Sequence, residues 1–107
     1  MKKENKTLRT FGDTVGARAF PEAEDTELKS ILGIPVVVKD FVERTFQYGN
    51  VAIILFSYPD QEDEKEYSCV CGGSIVRNKL IEAKKRRLFP LLGTISMGEG
   101  VDYYDIR

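Results

Sequence analysis

The pattern of apolar and polar positions changes abruptly near residue 30. Residues 1 to about 25 hold scattered charge and several Gly and Pro breaks, without a sustained period of 2 or 3.6 residues. The stretch from Ile34 to Tyr48 is rich in β-branched and aromatic residues, which predicts a long strand. Its alternation changes phase midway, so we expect a bulge near Asp40. The pattern therefore predicts a flexible or loosely docked arm over residues 1–27 and a β-rich domain over residues 28–107.

Four further strands and one helix follow the long strand. The helix is expected from Ile75 to about Leu88, with Ser74 as its N-cap and with Val76 and Leu80 facing the core. Turn signals such as Gly49 with Asn50, and Gly98 to Gly100, separate the strands. The resulting order is β-β-β-α-β-β, with the last four strands predicted at Val51–Ser57, Tyr67–Cys71, Leu91–Met97 and Val101–Ile106.

The second predicted strand is apolar on both faces. An antiparallel strand of a small sheet normally turns one face to water, so one of the two rows needs a cover. The outward row could contact nucleic-acid bases, be covered by the arm through Leu8, Phe11 or Phe20, or lie in a subunit interface. We expect a homodimer with Ile54 near the contact, because two-fold assembly is the commonest solution among soluble proteins.

Composition excludes several classes of function. The chain of 107 residues has no His, which rules out Ser-His-Asp hydrolysis and His-based metal sites. Its longest apolar run is far shorter than the ~20 residues that a membrane span needs. The sequence therefore indicates a cytoplasmic, non-membrane protein that is not an enzyme and has no cofactor.

Charge is strongly segregated although the net charge is only −1. Residues 60–66 carry five acids and one Lys, whereas residues 67–87 carry six cations and one acid. Binding depends on the local field, so the near-neutral total does not exclude an anionic partner.

The two cysteines, Cys69 and Cys71, fall on one face of the third strand. A Cys-x-Cys pair can ligate a soft metal, but zinc needs two further ligands and the chain has neither another Cys nor a His. We therefore expect two reduced thiols that pack as small apolar side chains, with no metal and no disulfide.

A family resemblance adds to this pattern. The order of five strands, with one helix between the third and fourth, is that of an OB-fold. The first hairpin of small OB-fold single-stranded DNA-binding proteins of phages and mobile elements resembles LGIPVVVKDFVERTFQYGNVAIILF. Their third strand and barrel-plugging helix resemble YSCVCGGSIVRNKLIEAKK, and their last hairpin looks like FPLLGTI followed by VDYYDIR. The chain departs from better-known bacterial relatives, because it has no Trp and ends in Asp-Ile-Arg rather than in an acidic tail with a final aromatic residue.

The resemblance implies an all-β fold with one helix: a five-stranded OB-fold Greek-key barrel. It also implies binding and protection of single-stranded DNA without strong sequence preference, in replication or recombination, with replication or recombination proteins as further candidate partners. Two alternatives stay open at this point. One is a protein-binding OB module that acts as an accessory subunit, and the other is RNA binding by a cold-shock-like barrel.

Single-strand binding needs a cationic groove for the phosphates and flat side chains for the bases. In an OB barrel the outer surface of strands 1 to 3 supplies both. The alternative for these positions is structural: Phe46 would close the barrel end, Phe56 would be buried, and the cations would be solvated. The run Lys84–Arg87 also resembles a nucleic-acid patch, but a solvated helix end is favoured there. The candidate nucleic-acid-binding residues are Lys39, Arg44, Phe46, Tyr48, Phe56, Tyr58, Tyr67, Arg77 and Lys79.

Overall fold

Six β-strands and one α-helix make up the regular structure of the part of the chain that is described, residues 19–47, 49–98 and 103–107 of a computed structural model. A short 3-10 helix, Leu28–Ser30, precedes the long strand and is followed by Gly33, which has a positive φ of 79°. The α-helix, α1, spans Ser74–Lys85. The strands are β1 (Glu24–Asp25), β2 (Pro35–Phe46), β3 (Gly49–Ser57), β4 (Tyr67–Cys71), β5 (Leu91–Met97) and β6 (Tyr104–Ile106).

The strands form one mixed sheet in the order β1-β4-β3-β2-β5-β6. All pairs are antiparallel except β1 with β4, which is parallel. The mostly β fold with one helix is confirmed, but the described strands form an open sheet of six rather than a closed barrel of five. The extra strand comes from Glu24 and Asp25, predicted to belong to the arm. The Glu24 and Thr26 N–H groups donate to carbonyls on either side of Tyr67, at 3.0 and 2.8 Å.

The predicted bulge in the long strand is confirmed. Val38 pairs with Phe56, and Asp40 pairs with Leu55, so Lys39 is the extra residue on β2. The bulge lies where β2 changes partners, because β5 pairs with β2 only from Pro35 to Val38. Beyond that point β2 has β3 on one side and no described strand on the other.

Helix α1 differs from its prediction at both ends. Gly73, in extended conformation, is the N-cap. Ser74, which was predicted to be the N-cap, is instead the first residue of the helix. The helix ends at Lys85 rather than near Leu88. Val76 and Leu80 are buried in the core as expected. The predicted last strand begins at Tyr104, and residues 99–102, which hold part of the predicted turn, lie outside the described residues.

Both faces of β3 are buried within a single chain. Ile54 and Phe56 are fully buried in the core cluster, while Val51 and Ile53, on the opposite face, are only 3% and 1% exposed. The predicted homodimer assumed an exposed apolar row on β3, but of the two apolar rows only Leu55 is half-buried, and Ile54 packs in the core. The homodimer itself stays a prediction.

The structure describes only part of the arm that was predicted to cover β3. Leu8 and Phe11 lie outside the described residues, whereas Phe20 and Pro21 line an open cavity together with Leu55. Within the described part of the chain, no helix is long and apolar enough to cross a membrane.

Candidate nucleic-acid interface

Three of the predicted base-stacking rings pack against one another. The Phe56 and Tyr67 rings are stacked with centroids 5.7 Å apart, and the Tyr58 ring meets Tyr67 edge-on at 5.0 Å. Phe56 is fully buried, so the expectation that it stacks on a base is corrected: its ring has no free face. Tyr58 and Tyr67 are half-buried against the core, and the Tyr67 hydroxyl accepts a hydrogen bond from Gln61 at 3.0 Å.

The remaining two predicted rings lie near the turn between β2 and β3. Phe46 ends β2 and is buried, with 9% of its surface exposed, which agrees with its alternative interpretation as a residue that closes one end of the sheet. Tyr48 lies outside the described residues. The described rings therefore do not form an open stacking surface on the strands where the sequence predicted one.

Three of the four predicted cations are held by carboxylates. Lys39 Nζ lies 3.2 Å from a Glu66 carboxylate oxygen across β3. The other two pairs fix helix α1 to the sheet. Arg77 Nε lies 3.5 Å from a Glu43 carboxylate oxygen, and Lys79 Nζ lies 2.7 Å from an Asp105 carboxylate oxygen.

These two helix cations also bind backbone. Arg77 donates to the Asn50 carbonyl at 3.1 Å, and Lys79 donates to the Ile106 carbonyl at the same distance. The hydrogen bond from Lys79 lowers the pKa of the Asp105 carboxyl, which is therefore ionised at neutral pH. Arg77 and Lys79 connect α1 to the β2–β3 hairpin and to β6, so their charge is largely compensated.

The fourth predicted cation, Arg44, differs from the other three. Its guanidinium donates to the carbonyl of Glu43 at 3.0 Å, and it has no carboxylate partner within the described part of the chain. Arg44 lies two residues after Val42 and hence on the same face of β2.

An open groove of about 470 Å³ lies between the second half of β2 and helix α1. Phe41, Val42 and Glu43 line it from the strand, and Ile81, Lys84 and Lys85 line it from the helix. Lys84 Nζ lies 3.0 Å from an Asp40 carboxylate oxygen and donates to the Phe41 carbonyl at 2.9 Å. The next three cations, Lys85, Arg86 and Arg87, are exposed and form no ion pair with any described residue. We call this groove, with the run Lys84–Arg87, the cationic groove.

Only the cations of this groove could be recognised from the sequence. Four consecutive cations are visible from Lys84 to Arg87, but the sequence alone favours a solvated helix end there. The rest of the groove depends on topology. β5 pairs with β2 only as far as Val38, so the edge of β2 beyond Val38 is open beside the end of α1. That relation depends on strand pairing across more than 50 residues and has no local signature.

Both cysteines are free and buried, each with 2% or less of its surface exposed. Burial raises the pKa of the Cys69 thiol to about 12, and it also raises the pKa of Cys71. Within the described residues there is no cluster of three or more metal-ligating side chains. The two thiols therefore behave as small apolar core residues.

Comparison with known proteins adds nothing to the argument from the geometry of the cationic groove. No protein-family model, no curated protein and no solved structure matches the chain significantly. The similarity to small OB-fold single-stranded DNA-binding proteins accordingly stays a resemblance of sequence pattern, and the functional argument rests on the cationic groove.

Proposed function

We propose that the protein binds and protects single-stranded DNA without strong sequence preference, in replication or recombination and without catalysis, and that the cationic groove is its binding surface. The observation that carries the proposal is the uncompensated charge of Lys85, Arg86 and Arg87 beside an open groove. Ion pairs within the chain neutralise Lys39, Arg77 and Lys79, but Lys85, Arg86 and Arg87 remain free to meet phosphates.

The charges are arranged along a path rather than at a point. Lys84 and Lys85 line the groove, Arg86 and Arg87 follow them directly in the chain, and Arg44 lies on β2 two residues beyond the lining residue Val42. The one acid in the lining, Glu43, is paired with Arg77. A positively charged groove that follows the backbone is the main requirement for binding a single strand. Lys84 is already paired with Asp40, so four cations, Arg44, Lys85, Arg86 and Arg87, are left for phosphates. Four phosphate contacts would release about four counterions, so the affinity should fall with a log–log salt slope of roughly −2.8.

The walls of the groove suit bases without reading them. Val42 and Ile81 are apolar, and Ile81 is 37% exposed. Apolar contact tolerates every base, since it does not depend on donors or acceptors at the base edges. Because no exposed ring lines the groove, most of the affinity is expected to come from phosphate contacts.

The architecture supports an OB-type barrel as the finer description of the fold. β2 is long, carries a bulge, and pairs with both β3 and β5, as the first strand of such a barrel must. Helix α1 lies between β4 and β5 in the chain, which is the position of the barrel-plugging helix. Closure would require β4 to approach β6, and in the described residues the neighbour of β4 on that side is β1.

Fluorescence anisotropy with labelled nucleic acids tests the proposal. Oligo-dT of about 30 nucleotides should bind at ~50 mM salt, and its affinity should fall roughly 50-fold at ~200 mM salt. Duplex DNA of the same length should bind more weakly, and an oligo-rU arm decides between DNA and RNA. Failure of oligo-dT to bind at the lower salt concentration would refute the proposed function.

The protein-binding alternative depended on an exposed apolar face of β3. Val51 and Ile53 are buried on one face, and Ala52, Ile54 and Phe56 are buried on the other. Only Leu55 of these two rows is half-buried, in an open cavity beside Phe20, so β3 offers a partner little apolar surface and single-strand binding remains the better proposal.

A further inference from the structure

A second cavity lies at the opposite flank of the end of helix α1, between α1, β5 and β6. Its volume is about 160 Å³, and we call it the α1–β5 pocket. The polar side chains that line it are Lys79 and Arg107, at its rim. Its apolar walls come from Val38, Leu80, Phe89, Leu91, Leu92 and Ile106.

The size of the pocket limits what it can hold. Small-molecule and cofactor sites usually measure about 300 Å³ or more, so this pocket is too small for such a ligand and fits a single bulky side chain. Apolar side chains around it are unusually accessible: Leu92 is 62% exposed, Leu88 43% and Leu91 38%. A pocket that is surrounded by exposed leucines is typical of a site that receives an anchor residue from a partner.

The charges around the pocket select the partner. Lys79 and Arg107 share one carboxylate, Asp105, at 2.7 and 3.4 Å. Arg86 and Arg87 have no described ion-pair partner, and they lie in the chain between Ala83 and Phe89, which both line the pocket. The rim is therefore net positive, and an acidic segment complements it.

We infer that the α1–β5 pocket binds an acidic peptide segment of another protein, which inserts one leucine or phenylalanine side chain between α1 and β5. The acids that flank this anchor pair with Arg86, Arg87 and Arg107. The α1–β5 pocket shares no lining residue with the groove between β2 and α1, although Arg86 and Arg87 could serve either site, and the inference does not rest on DNA binding.

Two occupants from this chain fit less well. Residues 1–18 carry five Lys or Arg and two Asp or Glu, so their net positive charge opposes the rim. The loop at residues 60–66 is acidic but contains no apolar side chain that could enter the pocket. A phosphate backbone would satisfy the arginines and would leave the apolar walls without a partner.

Titration with a labelled model peptide tests the inference. The probe is a fluorescein-labelled segment of alternating Asp and Glu with one central Leu, and its control carries Ser in place of that Leu. The Leu peptide should bind the full-length chain at least about tenfold more tightly than the Ser peptide, which is the usual loss when an anchor residue is removed.

Two exposed side chains of β5 supply matched protein variants. Leu92→Ser, in the pocket wall, should weaken binding of the Leu peptide by about tenfold or more, whereas Met97→Ser, outside the pocket, should change it by less than about twofold. Thermal melting confirms that both variants fold. If Leu92→Ser is unstable, amide shifts of the wild-type protein on addition of the Leu peptide replace it, and these should centre on Leu92 and Ile106 rather than on Met97.

Several results would overturn the inference: equal binding of the Leu and Ser peptides, equal effects of the two variants, shifts away from the pocket, or no saturable binding up to about 1 mM peptide. Oligo-dT binding is measured on the same variants. Because Leu92 lies outside the cationic groove, Leu92→Ser should leave DNA affinity unchanged, so failure of one proposal is distinguishable from failure of the other.

Discussion

Arg87 and Glu64 are two residues that hold a left-handed backbone conformation, with φ of 58° and 53°. This region costs an L-residue about 1–2 kcal/mol and costs glycine almost nothing. At Arg87 the conformation ends helix α1: the Arg87 N–H donates to the Lys84 carbonyl, and the Leu88 N–H donates to the Ala83 carbonyl. This is a Schellman motif, whose left-handed position is usually glycine. The chain thus keeps a cation beside the cationic groove at a cost in stability.

Replacing Arg87 by Gly should therefore separate stability from binding. Arg87→Gly is expected to raise the free energy of unfolding by roughly 0.5–1 kcal/mol and to weaken oligo-dT binding. Glu64→Gly removes the same backbone strain in the acidic loop, so it should stabilise the fold similarly without weakening DNA binding. Urea unfolding and anisotropy measure the two effects. Loss of stability in Arg87→Gly would show that the arginine side chain itself supports the fold.

Cys69 makes stability depend on pH in the alkaline range. Its pKa is about 12 in the folded chain against an ordinary value of 9.0 for a cysteine thiol, so between these values the unfolded thiol loses its proton and the folded thiol keeps it. The contribution is fully present below pH 9 and is lost as pH rises towards 12, at up to about 1.4 kcal/mol per pH unit. Urea unfolding at several pH values should show a shallower alkaline loss for Cys69→Ala than for the wild-type protein. Identical slopes would contradict the burial argument.

At the scale of elements, the bulged strand β2 protects its own open edge. The Asp40 carboxylate accepts from the Phe41 N–H at 2.8 Å and lies 3.0 Å from Lys84 Nζ. Lys84 in turn donates to the Phe41 carbonyl and lies 5.4 Å from the centre of the Phe41 ring. Both backbone groups of Phe41 are thus satisfied by side chains where β5 no longer pairs. Charged side chains at an open edge also discourage pairing with another chain.

A double-mutant cycle measures this edge arrangement. Asp40→Ala and Lys84→Ala should couple by about 0.5–1 kcal/mol, which is near the top of the range for a half-exposed pair because backbone hydrogen bonds are shared. The matched control is the pair Glu27 and Lys29, whose charged atoms are 4.0 Å apart and whose side chains are about three-quarters exposed. That pair should show no measurable coupling. Equal coupling energies for the two pairs would show that the edge contacts add nothing.

The elements that the sequence predicted best are those whose limits are set locally. β4 and β5 begin and end at the predicted residues, because β4 lies between the acidic loop and Gly72, and β5 lies between Pro90 and Gly98. β1 could not be predicted in this way. Its two residues, Glu24 and Asp25, have low strand propensity, and they pair because the edge of β4 lies open more than 40 residues away.

The same distinction between local and long-range information applies to the candidate site. The cations Lys39, Arg77 and Lys79 were identifiable by type, but the carboxylates that neutralise them lie 26 to 34 residues away along the chain. Likewise, the alternation of β3 places Phe56 on one of two apolar faces, and only the fold decides that this face is the core. Residue type is local information, whereas charge compensation and burial are set by tertiary contacts.

At the scale of the whole molecule, segregation of charge matters more than the net charge of −1. In the loop at residues 60–66, Glu66 pairs with Lys39, and the only cation, Lys65, pairs with Glu24 outside the loop. At the end of α1, Lys84 pairs with Asp40, but Lys85, Arg86 and Arg87 form no ion pair with a described residue. The field of the molecule is therefore expected to be positive at the cationic groove, which favours a polyanion at that surface in a nearly neutral protein.

The salt dependence of oligo-dT binding tests this account most directly when one groove cation is removed. Arg86→Gln removes an exposed charge of the cationic groove, and Lys29→Gln removes an exposed charge from the 3-10 helix. Each phosphate contact contributes about 0.7 to the log–log slope for a single strand. The account predicts a slope that is shallower by about 0.7 in Arg86→Gln and unchanged in Lys29→Gln. Equal slopes for the wild-type protein and Arg86→Gln, or a larger change in Lys29→Gln, would contradict the proposal that DNA binds along the cationic groove.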